Sequence, residues 1–311
     1  MGKKLQGSMM LLMAALIWGT AFVAQSEGMR YVEPFTYNSI RTLLGGVVLI
    51  PILIAFRISR RLPQASSERK ASLRTTVKGG IACGFLLFIA SSFQQSGISL
   101  TTAGKAGFIT ALYIILVPLI ELVLYRKCTV KIWACVLLAA AGFYLLCINE
   151  GFHVGLGDGL VLCSAFFYAV HIMTIDRFNS RGTDGTLMSC IQFFTAGTLM
   201  AVCMFLFEKP QLDAILEARY TILYAGVLSC GVAYTFQILG QRSTSPTAAT
   251  LLMSLESVFA ALSGWLILHE ALSLKELSGC VLVFAAVLLA QLPLPDFQKL
   301  RKLKKKTNME K

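Results

Sequence analysis

Residues 122–146, LVLYRKCTVKIWACVLLAAAGFYLL, recur later in the chain as residues 266–290, LILHEALSLKELSGCVLVFAAVLLA. Each copy holds the end of one apolar segment, a short polar stretch and a second apolar segment. The hydrophobic profile is retained, and six positions are identical: Leu122, Leu124, Lys131, Leu138, Ala141 and Leu145. Residues 40–46 (IRTLLGG) similarly parallel 191–197 (IQFFTAG). The chain is therefore predicted to consist of two related halves.

The composition is that of a membrane protein. Of the 311 residues, 56% are apolar and 14% are charged, and the mean hydropathy is +0.70. Apolar stretches of about 17 to 24 residues can cross a bilayer as helices, which satisfy their own backbone hydrogen bonds in lipid. We predict ten such helices. They span residues 7–25, 35–56, 77–99, 101–124, 132–148, 158–175, 186–207, 220–240, 247–268 and 272–292.

These spans predict an all-α membrane protein with a 5+5 inverted repeat. Residues 1–150 would form the first repeat, residues 151–296 the second, and residues 297–311 a basic cytoplasmic tail. Because each half has five helices, the second half must enter the membrane upside down relative to the first. Inverted repeats are typical of secondary transporters, whose substrates bind near mid-membrane between the halves.

The Lys and Arg residues predict the orientation. With the amino terminus in the cytoplasm, 22 of the 28 fall on the cytoplasmic side, four fall outside, and Arg41 and Lys105 lie within spans. This asymmetry favours a multi-pass protein of the cytoplasmic (inner) membrane with both termini cytoplasmic. The net charge of +12 is explained by topology and by a tail that can contact anionic lipid, so no nucleic-acid partner is expected.

The motifs do not indicate an enzyme, a metal site or a cofactor. The GLGD sequence at 155–158 matches intramembrane aspartyl proteases, but these need a second aspartate in a neighbouring span, and the other aspartates lie in loops or at span ends. Asp158 is instead expected to be a first-turn acid at the start of a helix. The nine cysteines lack metal-ligand spacing, and no nucleotide-binding or hydrolase motif is present.

Several stretches resemble the EamA domain of the drug/metabolite transporter superfamily. TAATLLMSLESVFAALSGWLILHEALSLKELSG (247–279) is similar to the end of such a domain. GLGDGLVLCSAFFYAVHIMTIDR (155–177) resembles the opening of a second EamA domain. ALIWGTAFVAQ (15–25) and EPFTYNSIRTLL (33–44) resemble the opening of the first.

The resemblance implies ten helices in two EamA repeats and transport of small organic solutes, often amino acids or related metabolites, commonly outward. It covers nearly the whole chain, with some departures from the family pattern. His269 stands where the family has glycine, Tyr125 and Arg126 replace a Gly-Glu pair, and Tyr113 and Ser257 stand where proline is frequent.

Glu256 is the main candidate for the substrate site. It is the tenth residue of its predicted span, and an acid at this depth costs several kcal/mol unless it faces a cavity or is protonated. We expect it to face a cavity, where it would couple protons or bind a cation, although a structural hydrogen-bonding role is the alternative. For Lys105, two interpretations stay open. It either anchors the outer end of its helix or binds an anionic group of the solute.

The remaining candidates are amphipathic residues within spans. His171 follows Tyr168 by three residues, on the same helical face; it is either a titrating group or a packed, hydrogen-bonded residue. Aromatic faces could bind a quaternary ammonium or an aromatic side chain. The predicted lining comprises Trp18, Gln94, Tyr113, Tyr168, Tyr234 and Gln237. Arg41 and Gln192 match in the repeat, so we interpret both as hydrogen-bonding residues between helices.

We therefore predict a secondary transporter of a small polar, amino-acid-like metabolite that works by alternating access, with efflux favoured over uptake. Its expected partners are the solute, the lipid bilayer and a coupling proton; no cofactor is expected, and the sequence carries no signal for an oligomeric state. One alternative is uptake of a cationic or quaternary-ammonium solute held by Glu256 and the aromatics. A different class is a non-transporting membrane scaffold or sensor.

Overall fold

The structure, a computed structural model, describes residues 2–59, 66–101, 103–125, 130–147, 155–267 and 274–291. Regular secondary structure in these ranges is entirely helical, as predicted. The first half contains α1 (Lys3–Gly28), α2 (Pro34–Ser59), α3 (Ser66–Ile98), α4 (Ala103–Ala111), α5 (Tyr113–Tyr125) and α6 (Val130–Cys147). The second half contains α7 (Leu156–Asn179), α8 (Gly185–Phe207), α9 (Leu212–Glu217), α10 (Arg219–Leu223), a π-helical segment (Tyr224–Tyr234), α11 (Thr235–Gly240), α12 (Pro246–Met253), α13 (Leu255–Ile267) and α14 (Leu274–Gln291).

Seven helical stretches in the described residues are long and apolar enough to cross a membrane. They are Lys3–Gly28, Pro34–Ala55, Ser72–Ile98, Leu156–Asn179, Gly185–Phe207, Arg219–Gly240 and Pro246–Ser263. Three shorter apolar stretches, Ile109–Leu124, Trp133–Gly142 and Leu277–Ala286, fall within the other three predicted spans. The chain is thus a multi-pass membrane protein whose described residues form helices and no strands.

Two of the predicted spans are interrupted rather than continuous. The fourth breaks at Leu112, between α4 and α5, and the ninth breaks at Ser254, between α12 and α13. Pro118 lies one to two turns after the first break and cannot donate a backbone hydrogen bond. At the second break, Ser254 Oγ donates to the carbonyl of Leu251 at 2.9 Å. Serine hydroxyls that bond back to a preceding turn bend helices, so this break needs no proline.

Helices of the first half pack mainly against helices of the second half. α3 lies against α7 and α8, and α2 lies against α8 and the π-helical segment. α1 contacts α13, α11 and the π-helical segment, whereas α6 packs mainly on α14. Polar side chains are buried at the centre of this bundle, and many large apolar side chains face outward, as expected for a protein surrounded by lipid.

Gly19 allows α1 to approach α13 beside Glu256. A Cβ atom at Gly19 would lie 2.6 Å from the backbone oxygen of Glu256 and 2.9 Å from the backbone nitrogen of Ala260. Both distances are too short for any side chain, so glycine is required for this contact. Small residues at such positions let transmembrane helices pack closely.

Two acidic residues accept backbone hydrogen bonds at the N-terminal ends of helices. Asp158 Oδ2 accepts a hydrogen bond from the backbone N–H of Gly155 at 3.0 Å, and its Oδ1 accepts one from Thr101 Oγ1 at 2.6 Å. The expectation that Asp158 is a first-turn acid is therefore confirmed. Glu208, just beyond α8, accepts bonds from the backbone N–H groups of Phe35 and Thr36 at 2.7 and 2.6 Å. It thereby ties the end of α8 to the beginning of α2.

Candidate functional site

A cavity lies among the buried polar side chains of the two halves. The unfilled space between these side chains, counted together with its opening to solvent, is about 470 Å³. The first half contributes residues of α1, α2, α3, α4 and α5, and the second half contributes residues of α7, the π-helical segment, α11, α12 and α13. The lining residues are Trp18, Phe22, Gln25, Arg41, Gln94, Thr110, Tyr113, Tyr168, Ile172, Ser229, Tyr234, Gln237, Met253 and Glu256.

Glu256 forms the acidic wall of this cavity. Its side chain is only 3% exposed and lies in the first turn of α13, directly after the break at Ser254. Tyr113, the first residue of α5, donates its hydroxyl to Glu256 Oε1 at 2.9 Å. The two helix breaks therefore bring Tyr113 of the first half and Glu256 of the second together as a hydrogen-bonded pair on the cavity wall.

A chain of hydrogen bonds runs along another part of the wall. Tyr168 Oη donates to Gln94 Oε1 at 3.0 Å, and Gln94 Nε2 donates to Thr110 Oγ1 at 3.1 Å. Tyr168 Oη also lies 3.1 Å from Ser91 Oγ and accepts from Tyr234 Oη at 3.3 Å. The chain connects α3, α4, α7 and the π-helical segment, and it gives the cavity hydroxyl and amide groups that can hydrogen-bond a polar solute.

Two glutamines on the wall each have an unused acceptor. Gln25 Oε1 and Gln237 Oε1 are buried and have no hydrogen-bond partner among the described residues. The amide nitrogen of Gln25 donates to the carbonyl of Ala21 at 3.2 Å, which accounts for only one end of that side chain. Buried polar atoms are nearly always paired, so these oxygens are positioned to accept hydrogen bonds from a ligand.

The aromatic side chains form a packed cluster beside the polar chain. Trp18 and Tyr234 meet edge to face with ring centroids 4.8 Å apart, and the Trp18 indole N–H donates to the carbonyl of Ser229 at 3.3 Å. Phe193 supports Tyr234 from behind at 5.7 Å. These contacts link α1 to the π-helical segment and fix the orientation of two rings that face the cavity.

Arg41 is the one strongly basic residue among the described residues that line the cavity. Its side chain is 4% exposed, and its Nε donates to Asn38 Oδ1 at 2.8 Å, one turn earlier in α2. Asn38 Nδ2 in turn donates to the carbonyl of Ser91 in α3 at 2.9 Å. The expected hydrogen bond between helices is thus made by Asn38 rather than by Arg41 itself. We did not predict Arg41 as a cavity residue from the sequence.

Seven of the nine binding residues predicted from the sequence line this cavity, and their role in binding remains a prediction. They are Trp18, Gln94, Tyr113, Tyr168, Tyr234, Gln237 and Glu256. His171 is fully buried but does not line it; its Nε2 lies 3.1 Å from Gln192 Oε1, which joins α7 to α8. Lys105 belongs to α4, and its side chain lies outside the part of the chain that the structure describes.

Comparison with known proteins agrees with this architecture. A family model described as the EamA-like transporter family matches residues 5–148 and again residues 155–292. An uncharacterized transporter of Archaeoglobus fulgidus is 29% identical, over 93% of this chain and 87% of that protein. The uncharacterized transporter YoaV of Bacillus subtilis is 22% identical, over 89% of this chain and 94% of that protein.

A solved crystal structure has the same fold. It superposes with a TM-score of 0.74 at 20% sequence identity and covers 92% of this chain and 96% of that chain. The family assignment rests on the two family matches, which cover both halves. The chain belongs to the EamA-like transporter family.

Proposed function

We propose that this protein is a secondary transporter that moves a small polar, amino-acid-like metabolite across the cytoplasmic membrane by alternating access. The two halves would form ten spans in a 5+5 inverted repeat, with both termini in the cytoplasm. Outward transport is the preferred direction, in line with the family resemblance. The observation that carries the proposal is a cavity with polar walls from both halves and a buried carboxyl group, Glu256.

The pattern of helix contacts supports the repeat. If the halves correspond, α1 matches α7, α2 matches α8, α3 matches the segment from α10 to α11, α4–α5 match α12–α13, and α6 matches α14. The packing of α3 on α7 then corresponds to that of α11 and the π-helical segment on α1. The packing of α1 on α12 and α13 corresponds to that of α7 on α4 and α5. Because α2 matches α8 and α6 matches α14, exchanging the halves leaves the α2–α8 and α6–α14 contacts unchanged, as a repeat requires.

The location of the cavity supports alternating access. Its walls come from both halves, so a relative tilt of the halves would change which side of the membrane it faces. The breaks at Leu112 and Ser254 bring Tyr113 and Glu256 together at this boundary. In transporters, interrupted helices commonly form the substrate site, because the ends of the helical segments expose polar groups there.

Glu256 is the proposed proton-coupling group. It lies within the apolar stretch Pro246–Ser263 and has one described hydrogen-bond donor, Tyr113. A carboxylate at this depth is costly unless a proton or a polar solute group compensates its charge. Exchange of a proton for a solute group at Glu256 would therefore link transport to the proton gradient.

The test is solute flux in proteoliposomes that contain only this protein. A panel of labelled amino acids and related metabolites is loaded, an imposed pH gradient supplies the energy, and wild type is compared with Glu256→Gln across a range of external pH. We expect wild-type flux to depend on pH and the variant to lose that dependence. Glu217→Gln, an exposed residue of α9, is the matched control.

Each outcome has a defined meaning. Flux that is equal at every pH in wild type and in Glu256→Gln would contradict proton coupling through this residue. Absence of flux for every solute that binds the purified protein would contradict transport and would favour a non-transporting sensor. Flux in the wild type that the Glu256→Gln substitution makes independent of pH would support both parts of the proposal.

A further inference from the structure

We propose that Arg41 binds a carboxylate group of the transported solute. This assignment deepens the proposed function and rests on it, because it takes the cavity as the solute site. It gives the solute a defined chemistry: an anionic group at the α2 wall, with the rest of the molecule directed toward Glu256 and the tyrosines.

The geometry of Arg41 leaves its charged end available. The Nε atom is used by Asn38, which is itself fully buried and held by the Ser91 carbonyl. Within the described residues, Nη1 and Nη2 donate to no protein acceptor, although the side chain is 96% buried. The guanidinium of this lining residue is therefore fixed at Nε, and no described residue accepts a hydrogen bond from its two terminal amino groups.

No carboxylate among the described residues forms an ion pair with Arg41. Elsewhere, Arg30 pairs with Glu27 at 3.0 Å, on the exposed end of α1. The face of the Tyr37 ring lies 5.7 Å from Arg41 Cζ and contributes a cation–π contact, which does not use the hydrogen-bond donors. A buried cation without a counter-ion is costly, and an anionic ligand group would remove that cost.

Arginine is suited to this task by its shape. Its planar fork can give a carboxylate two parallel hydrogen bonds, and these charge-assisted bonds are stronger than bonds between neutral groups. Since Arg41 and Glu256 line one cavity, a solute with a carboxylate and an ammonium group could contact both. A solute that is only cationic would instead add a second positive charge beside Arg41, which disfavours the quaternary-ammonium alternative.

The experiment compares matched pairs of ligands on purified protein in lipid nanodiscs. Each pair consists of an amino acid and its amide, which retains the ammonium and the side chain but lacks the carboxylate; leucine, methionine, threonine and phenylalanine provide four side-chain sizes. Affinity is measured by equilibrium binding at pH 6.5. We expect at least one acid to bind wild type about tenfold or more tightly than its amide.

The variants identify Arg41 as the source of that preference. In Arg41→Gln, the acid and the amide should bind within about twofold of each other, whereas the exposed-residue control Arg177→Gln should keep the full preference. Arg41→Lys retains the charge but not the fork, and should lose at least about threefold of the preference. It also serves as the test if Arg41→Gln does not fold.

Contradictory results are equally clear. Failure of the wild type to bind any pair, equal binding of acids and amides, or a preference that survives in Arg41→Gln and Arg41→Lys would overturn the assignment. Flux measurements distinguish failure of the Arg41 assignment from failure of the proposed transport function. Carboxylate-selective binding without flux would contradict transport only, and flux of acids and amides at equal rates would contradict the role of Arg41 only.

Discussion

Tyr113 donates its hydroxyl to Glu256 Oε1 at 2.9 Å, although the two residues lie 143 positions apart in the chain. Each follows a helix break, Tyr113 after Leu112 and Glu256 after Ser254. The bond therefore joins equivalent interruptions of the fourth and ninth predicted spans. The bond also holds the carboxyl group of Glu256 in one orientation. Losing it should therefore change the position of that carboxyl group more than that of other cavity residues.

Replacing Tyr113 by Phe should impair transport more than folding. The variant retains the ring but removes one hydrogen bond to a buried carboxyl group, a loss of roughly 1–3 kcal/mol. If that energy is used in solute binding or proton exchange, flux should fall by about five- to a hundredfold. Flux and thermal unfolding are measured in parallel. Tyr144→Phe, at an exposed tyrosine of α6, should behave as wild type, and equal flux in both variants would contradict the prediction.

Replacing Gly19 by Ala should separate α1 from α13. The added methyl group would meet the backbone of Glu256 and Ala260, which cannot move aside as a flexible side chain can. We expect unfolding to be easier by about 1–3 kcal/mol, as for other overpacked sites, together with lower affinity for the solute. Gly159→Ala in α7 is the control, because nothing lies within 4 Å of its Cβ position. A Gly19→Ala protein as stable as Gly159→Ala would show that the helices can part freely here.

Most residues of this candidate site can be predicted from the sequence, because polar side chains within apolar spans are the ones that line the cavity. Polar residues such as Gln94, Tyr168 and Glu256 are costly in lipid, so their presence in apolar spans predicted a shared cavity. Seven of the nine predicted residues indeed line one cavity. The helical class followed for the same reason, since only helices explain long apolar stretches of this length.

Side-chain direction was harder to predict. A spacing of three residues groups His171 with Tyr168, but Ile172, at a spacing of four, is the neighbour that lines the cavity. Arg41 and Gln192 match in the repeat, and Gln192 makes the expected hydrogen bond between helices, to His171, whereas Arg41 bonds within α2 and lines the cavity. A repeat preserves backbone position and not the chemistry of each copy. Hydropathy does not predict the break at Ser254, because it contains no information on a serine hydroxyl that bonds to its own helix.

Glu208 should stabilise the contact between α2 and α8. Its carboxylate accepts hydrogen bonds from Phe35 N, Thr36 N and Thr36 Oγ1, at the positive end of the α2 dipole. We expect Glu208→Ala to unfold more easily by about 1–3 kcal/mol in a denaturant titration. Glu217→Ala, at an exposed position of α9, should change stability by less than about 0.5 kcal/mol. Similar values for the two variants would mean that the Glu208 contacts contribute little.

The inverted repeat predicts opposite locations for Thr129 and Ser273, which are equivalent positions of the two halves and lie outside the described residues. In a variant without native cysteines, Thr129→Cys should react with a membrane-impermeant maleimide only after the membrane is opened. Ser273→Cys should react in intact cells. The same accessibility for both positions would contradict the 5+5 arrangement.

The most direct test of alternating access is the accessibility of one cavity residue from both sides of the membrane. Ser229 lines the cavity, and Ser229→Cys in a cysteine-free protein adds a single reactive thiol there. Ser164→Cys, also buried but not among the lining residues, is the control. In oriented proteoliposomes, an impermeant thiol reagent should modify Ser229→Cys when it is added to either side, and should leave Ser164→Cys unmodified. Modification of Ser229→Cys from one side only, under inward and outward solute gradients alike, would contradict alternating access.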